Sequence, residues 1–197
     1  MGYKGWEGFN PNNRGGKKPS AKRQYQGYKN RELGDQLEEY IKAACEVYRL
    51  YRLAEVEKTP EPFRIMGPKH QLENGAWGFE GVFTSQAQPD FKGTLKGGRS
   101  VVFEAKASEG NQIMQNVVTQ EQERALSSHA SLGAIAFVLV SLSLRDFYRV
   151  PWSVWKNMKD MFGHKHMTAE ELEKYRVSFK NGFLHIFDNL EETHEDR

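Results

Sequence analysis

A single cysteine, Cys45, stands in 197 residues. It excludes an internal disulfide and any cysteine-rich zinc site, and a chain so poor in cysteine suits a reducing cytoplasm. Long apolar runs are missing as well. The longest, Ala134 to Val140, falls well short of the roughly 18–20 residues that a membrane span needs, and no secretory signal pattern is present, so neither membrane association nor export is expected. Charge of one sign is also scarce, with a formal net charge of +2. That charge is nonetheless polarised: residues 1–31 hold eight Lys or Arg against one Glu, and residues 188–197 are mostly acidic. The length suits one domain with a substantial core.

What is present centres on residues 88–106. Val101, Phe103 and Ala105 alternate with Val102, Glu104 and Lys106, the two-residue period of a strand, which puts Glu104 and Lys106 on one face. Lys96-Gly97-Gly98 is the only plausible turn back to a partner strand, because glycine accepts the positive φ of a tight hairpin loop. A three-residue loop brings Asp90 opposite Glu104 on that same face. A two-residue loop at Gly97-Gly98 sends the two carboxylates to opposite faces. The three-residue register is predicted. An ordinary cross-strand ion pair would account for these charges at only tenths of a kcal/mol.

Pro89-Asp90 with Glu104-x-Lys106 matches the PD-(D/E)xK signature of restriction-endonuclease-like nucleases. The signature is short enough to arise by chance, and its surroundings narrow it. Pro89-Asp90-Phe91-Lys92-Gly93 leading to Phe103-Glu104-Ala105-Lys106 resembles the motif of RecU-type Holliday junction resolvases. Lys58-Thr59-Pro60 resembles that family's Lys-x-Pro-Thr-Pro turn, and Gln122 precedes Gly133-Ala134-Ile135-Ala136-Phe137 at the family's spacing. Pro89 where the family has threonine, Ala107 where it has glutamate, and the lack of histidines around Gln122 are departures, as in a divergent, phage-borne member. The resemblance covers residues 30–160.

The resemblance implies an α/β (α+β) fold, a restriction-endonuclease-like central mixed β-sheet flanked by helices, with a stalk protruding between early strands. It implies a homodimer that cuts branched DNA at four-way junctions, in recombination and repair, using Mg2+ or Mn2+ and no organic cofactor. Asp90, Glu104, the backbone carbonyl of Ala105 and Glu38 would hold the metal. Lys106 and Gln122 would act on the attacking water or the phosphate. Two other readings stay open: the same chemistry on DNA ends or flaps, and a junction-binding protein that does not hydrolyse.

The rest of the chain divides into a flexible basic arm (1–31), a nuclease domain (32–187) with a stalk-like insertion near 62–86, and a frayed acidic tail (188–197). In the arm Lys17, Lys18, Lys22, Arg23 and Arg31 are candidate phosphate contacts, with Tyr or Trp available to stack on bases. Leu33 to Tyr51 carries helical periodicity. Glu38 borders its apolar stripe, where it could reach a metal or simply pair with Lys42, and Gly34 suggests close approach of another backbone. In the insertion Arg64, Lys69 and His70 would face phosphates, and Trp77 or Phe79 could stack on a base. Ile113 to Leu132 reads as a helix, Gly133 to Leu142 as a strand covered on both faces, Phe147 to Val150 as the next strand, and Trp152 to Met161 as a helix. Thr168-Ala-Glu-Glu171 is a capping box, Asn181-Gly182 a two-residue hairpin, and His164 and His166 a solvated pair.

Overall fold

The computed structural model describes residues 21–60, 62–83 and 88–190. The first helix, α1, runs Ala21–Leu50. Leu37, Ile41, Ala44, Cys45 and Tyr48 recur at helical spacing and are buried, so one stripe packs on the sheet. The helix starts well before Leu33. Residues 21–31, expected as part of a flexible arm, are helical, because Ala, Lys, Arg and Gln propagate a helix whose packed stripe lies further on. Lys22 and Arg23 belong to its first turn and Arg31 is exposed on it; Lys17 and Lys18 lie outside the described residues. A Cβ on Gly34 would meet nothing, so close approach is not why glycine stands there.

The central sheet comprises β1 (Ala54–Lys58), β6 (Phe91–Leu95), β7 (Ser100–Ser108), β9 (Ile135–Leu142), β10 (Asp146–Pro151) and β12 (Arg176–Val177), in the order β1-β6-β7-β9-β10-β12. Every neighbouring pair is antiparallel except β7 and β9. A parallel pair needs a crossover. It is supplied by β8 (Gln112–Met114), a 3-10 turn at Gln115–Val117 and α2 (Gln120–Ser131). The sheet is thus mixed and flanked by helices, as expected. Between β1 and β6 the strands meet closely at Gly93, where a Cβ would lie 2.0 Å from the Glu55 carbonyl oxygen.

Each face of the sheet carries its own core. On the α1 side Val101, Phe103, Phe137 and Leu139 pack with α1 and with Leu184, Ile186 and Phe187 near the C-terminus. On the α2 side Val102, Val138 and Val140 pack with Leu126 of α2 and with Trp152, Trp155 and Met158. Strand β9 contributes to both, as its continuous apolar run predicts. The helix expected over Trp152 to Met161 is two short ones, α3 (Trp152–Lys156) and α4 (Met158–Phe162), separated by Asn157. The capping box at Thr168 opens α5 (Ala169–Leu172) after β11 (His166–Thr168). Asn181 (φ 53°) and Gly182 (φ 84°) turn the hairpin of β13 (Phe179–Lys180) and β14 (Phe183–Leu184). His164 and His166 are stacked, with centroids 3.9 Å apart, and both stay partly exposed. The start of the acidic tail is folded too: the Tyr48 hydroxyl donates to Asp188 at 2.6 Å, and Leu190 is buried. Aromatic and aliphatic anchors there outweigh the acidic composition.

The insertion forms an extended arm. Strands β2 (Phe63–Ile65) and β5 (Gly81–Phe83) pair, as do β3 (His70–Gln71) and β4 (Trp77–Gly78), and neither ladder joins the central sheet. None of its described residues belongs to either core cluster. Among the described residues no helix is long and apolar enough to cross a membrane.

Candidate active site

The hairpin of β6 and β7 adopts the three-residue register. Phe91 pairs with Phe103, Lys92 with Val102 and Gly93 with Val101. Gly97 (φ 94°) and Gly98 (φ 88°) take the left-handed conformations the turn demands, and the Gly98 amide donates to the Leu95 carbonyl at 2.9 Å. The same register carries Asp90, one residue before β6, to a position opposite Glu104.

The side chains then converge. One Asp90 carboxylate oxygen accepts the backbone N–H of Ala105 at 3.0 Å. The Lys106 ammonium donates to Asp90 at 3.4 Å and to Glu104 Oε2 at 2.8 Å. N–H and C=O of one strand residue point the same way, so the Ala105 carbonyl shares the side of β7 on which Asp90 sits. Glu104 is fully buried.

From the other side α2 delivers Gln122. The helix expected to begin at Ile113 begins at Gln120, because Thr119-x-x-Gln122 is a capping box that stops helical pairing upstream of Thr119. The Gln122 backbone N–H donates to Thr119 Oγ1 at 3.3 Å, and the Thr119 N–H donates to Gln122 Oε1 at 3.0 Å. The other end of the amide, Nε2, donates to Glu104 Oε2 at 2.5 Å. Thr119 is a member of the site that sequence reasoning missed, although its spacing to Gln122 was there to be read.

Burial pushes the Glu104 carboxyl up to about 8, Lys106 opposing and Asp90 reinforcing the rise. Burial alone would lower Lys106, but the Asp90 and Glu104 carboxylates outweigh it and the net direction is up, so Lys106 stays an ammonium. Glu104 Oε2 holds two donors, whereas Oε1 is buried and accepts no hydrogen bond among the described residues. An unpaired buried carboxylate oxygen is costly, and a divalent cation beside Asp90 and the Ala105 carbonyl would satisfy it. Oxygen donors suit a hard cation such as Mg2+ or Mn2+. Among the described residues no cluster of three or more His, Cys, Asp or Glu could hold a metal, so the shell needs that carbonyl, phosphate oxygens and water to complete it.

A family model described as RecU, Recombination protein U, matches residues 32–193. The chain belongs to the RecU family. It is similar to the Holliday junction resolvase RecU of Geobacillus kaustophilus, 27% identical over 183 residues that cover 90% of each chain. It is also similar to that of Bacillus cereus strain B4264, 30% identical over 163 residues that cover 79% of each. Among solved structures, Hjc, a Holliday junction resolvase of Archaeoglobus fulgidus, aligns with a TM-score of 0.44 at 12% identity, over 72% of this chain and 93% of that one.

Other residues that the RecU resemblance singled out stand apart from the cluster. Glu38 bonds to Lys58 rather than to Lys42, which pairs with Glu39. Its α1 lies on the opposite face of the sheet from α2, but the Glu38–Lys58 pair is near the site's edge. Lys58 is opposite Phe91, and the next residue, Thr59, donates its N–H to the Asp90 carbonyl at 2.8 Å. Arg64, Lys69 and His70 are exposed on the extended arm, where the Lys69 ammonium lies 4.7 Å from the centre of the Trp77 ring.

Proposed function

We propose that this member of the RecU family is an endonuclease that resolves four-way DNA junctions by divalent-metal-dependent hydrolysis of phosphodiesters. The observation that carries the reading is the joining of Asp90, Glu104, Lys106 and Gln122 in one bonded cluster.

Hydrolysis needs a deprotonated water in line with the leaving 3′ oxygen and positive charge to meet the charge developing on phosphorus. When bound, Mg2+ or Mn2+ supplies acidity to water and charge to the phosphate. Asp90, Glu104 and the Ala105 carbonyl hold that cation. Lys106 is held by two carboxylates and keeps its proton, so it positions the water and stabilises the transition state rather than serving as the base. Glu38 is paired with Lys58 at the rim, which offsets its charge. Arg64, Lys69 and His70 take phosphates as the arm enters the junction, with Lys17, Lys18, Lys22, Arg23 and Arg31 adding sequence-independent attraction. Paired nicks in a two-fold symmetric junction call for two such sites, hence a homodimer.

Synthetic four-way, flap and linear DNAs incubated with Mg2+ test the proposal. Paired, symmetric nicks in the junction are expected, and Asp90→Asn should abolish them. Cleavage of linear duplex as fast as the junction would defeat the resolvase reading.

A further inference from the structure

We infer that Thr119 and Gln122 form a positioning clamp that commits Glu104 Oε2 to the protein and leaves Oε1 as the single oxygen that Glu104 offers to a divalent cation. The inference deepens the metal-dependent reading above and rests on it.

The Gln122 amide is anchored at both ends. Its oxygen accepts the Thr119 N–H and its nitrogen donates to Glu104 Oε2. An amide nitrogen cannot accept from an N–H, so the bond at Thr119 fixes which end faces Glu104. Lys106 donates to that same Oε2 at 2.8 Å. The two donors converge on one oxygen, while Oε1 of the same carboxylate has no hydrogen-bond partner among the described residues and Glu104 is fully buried. The two oxygens are chemically equivalent, so whichever one sits between Gln122 and Lys106 is held there, and turning the carboxylate away from that position would break both bonds. Glu104 is therefore a one-oxygen ligand by construction. Gln122 acts through Glu104 rather than on the phosphate. A capping box, ordinarily a helix-start device, here ties the N-terminus of α2 to the metal-facing carboxylate.

Partners that orient a metal ligand are typically worth about 10–100-fold in metal affinity. Calorimetric titration of the DNA-free protein with Mn2+ should show Gln122→Met binding at least about ten-fold more weakly than wild type. Thr119→Ala, which loosens the clamp while keeping the N–H, should be intermediate, and Thr119→Ser should restore wild-type affinity. A purely structural cap would lower the unfolding midpoint of these variants and leave Mn2+ affinity of the folded protein unchanged, which would overturn the inference.

A second measurement needs no variant to bind metal. In a 1H–15N spectrum the Gln122 side-chain amide, identified by its loss in Gln122→Met, should carry a proton displaced downfield by its carboxylate bond. It should stay there when diamagnetic Mg2+ is added. A move to the position of a free amide would mean that the cation takes Oε2, and the clamp would be refuted. Wild type that binds neither ion, with junction DNA present or absent, would instead remove the metal-dependent reading itself.

Discussion

Phe103 and Glu104 are neighbours in one strand and do opposite work. Phe103 stacks between Phe91 at 4.9 Å and Phe137 at 4.6 Å, with rings nearly parallel, and its face is closed by α1. Glu104 turns to the α2 face, fully buried among charges, with one oxygen unsatisfied among the described residues. Apolar contact holds one face together, and the other carries an electrostatic cost that packing does not explain. Separability is the lesson: substitutions on the Phe103 face should lower stability and spare the chemistry of each folded molecule, and those in the cluster should lose the chemistry and spare the fold.

Glu104→Gln is the sharpest test and carries the largest expected effect. Junction cleavage should fall by on the order of 10^4-fold, the scale of removing one member of a catalytic unit, while the metal-free protein becomes more stable at pH 8. Loss of fold would break the comparison, because Glu104 would then be structural. Phe103→Ala should do the reverse. Truncating a buried aromatic costs about 3–5 kcal/mol, measured as a shift in denaturant midpoint, and cleavage per folded molecule should hold near wild type.

How much of this was legible in the sequence follows the same division. The Phe103 face could be read from a two-residue period, and the glycine turn narrowed the Asp90–Glu104 pairing to two registers, of which the one that joins the carboxylates is the one adopted. Strand β9, buried on both faces, was equally plain. Two boundaries were misread for local reasons. Propensity carried α1 back to Ala21 without an apolar stripe to mark it, and the Thr119 cap cut the helix expected from Ile113. The Lys58 partner of Glu38 could not be seen, because that bond joins α1 to the edge of the sheet and depends on how the helix is placed. The direction of the Gln122 amide was likewise out of reach, since it is set by a backbone N–H.

A pH titration extends the comparison at the next scale down. The Glu104 carboxyl is pushed up to about 8 when folded and is near 4.3 when unfolded. Across that window the native state binds the extra proton, so stability of the metal-free protein should fall as pH rises, by about 2–4 kcal/mol between pH 5 and 8. Urea unfolding at the two pH values measures it. Glu104→Gln should flatten the slope and Phe103→Ala should leave it intact. Saturating Mg2+ should reverse it, because cation binding favours the deprotonated carboxylate. An unchanged slope in Glu104→Gln would place the titration elsewhere.

The extended arm carries the separation furthest and at the smallest expected cost. Trp77 is 60% exposed, Phe79 is 48% exposed, and neither supports a core, so Trp77→Ala should leave the unfolding midpoint unchanged. Two roles remain for the indole. As a platform for an unpaired base at the junction centre, its loss should weaken junction binding by about 1–3 kcal/mol with little effect on linear duplex. As a brace for Lys69, whose ammonium lies over the ring, its loss should weaken both DNAs alike and be matched by Lys69→Ala. Competition binding of the two variants at fixed salt distinguishes them. Selective loss on the junction is expected, because large exposed aromatics on a segment outside both cores have no packing role to explain them, and a face without a core is free to be shaped by what it binds.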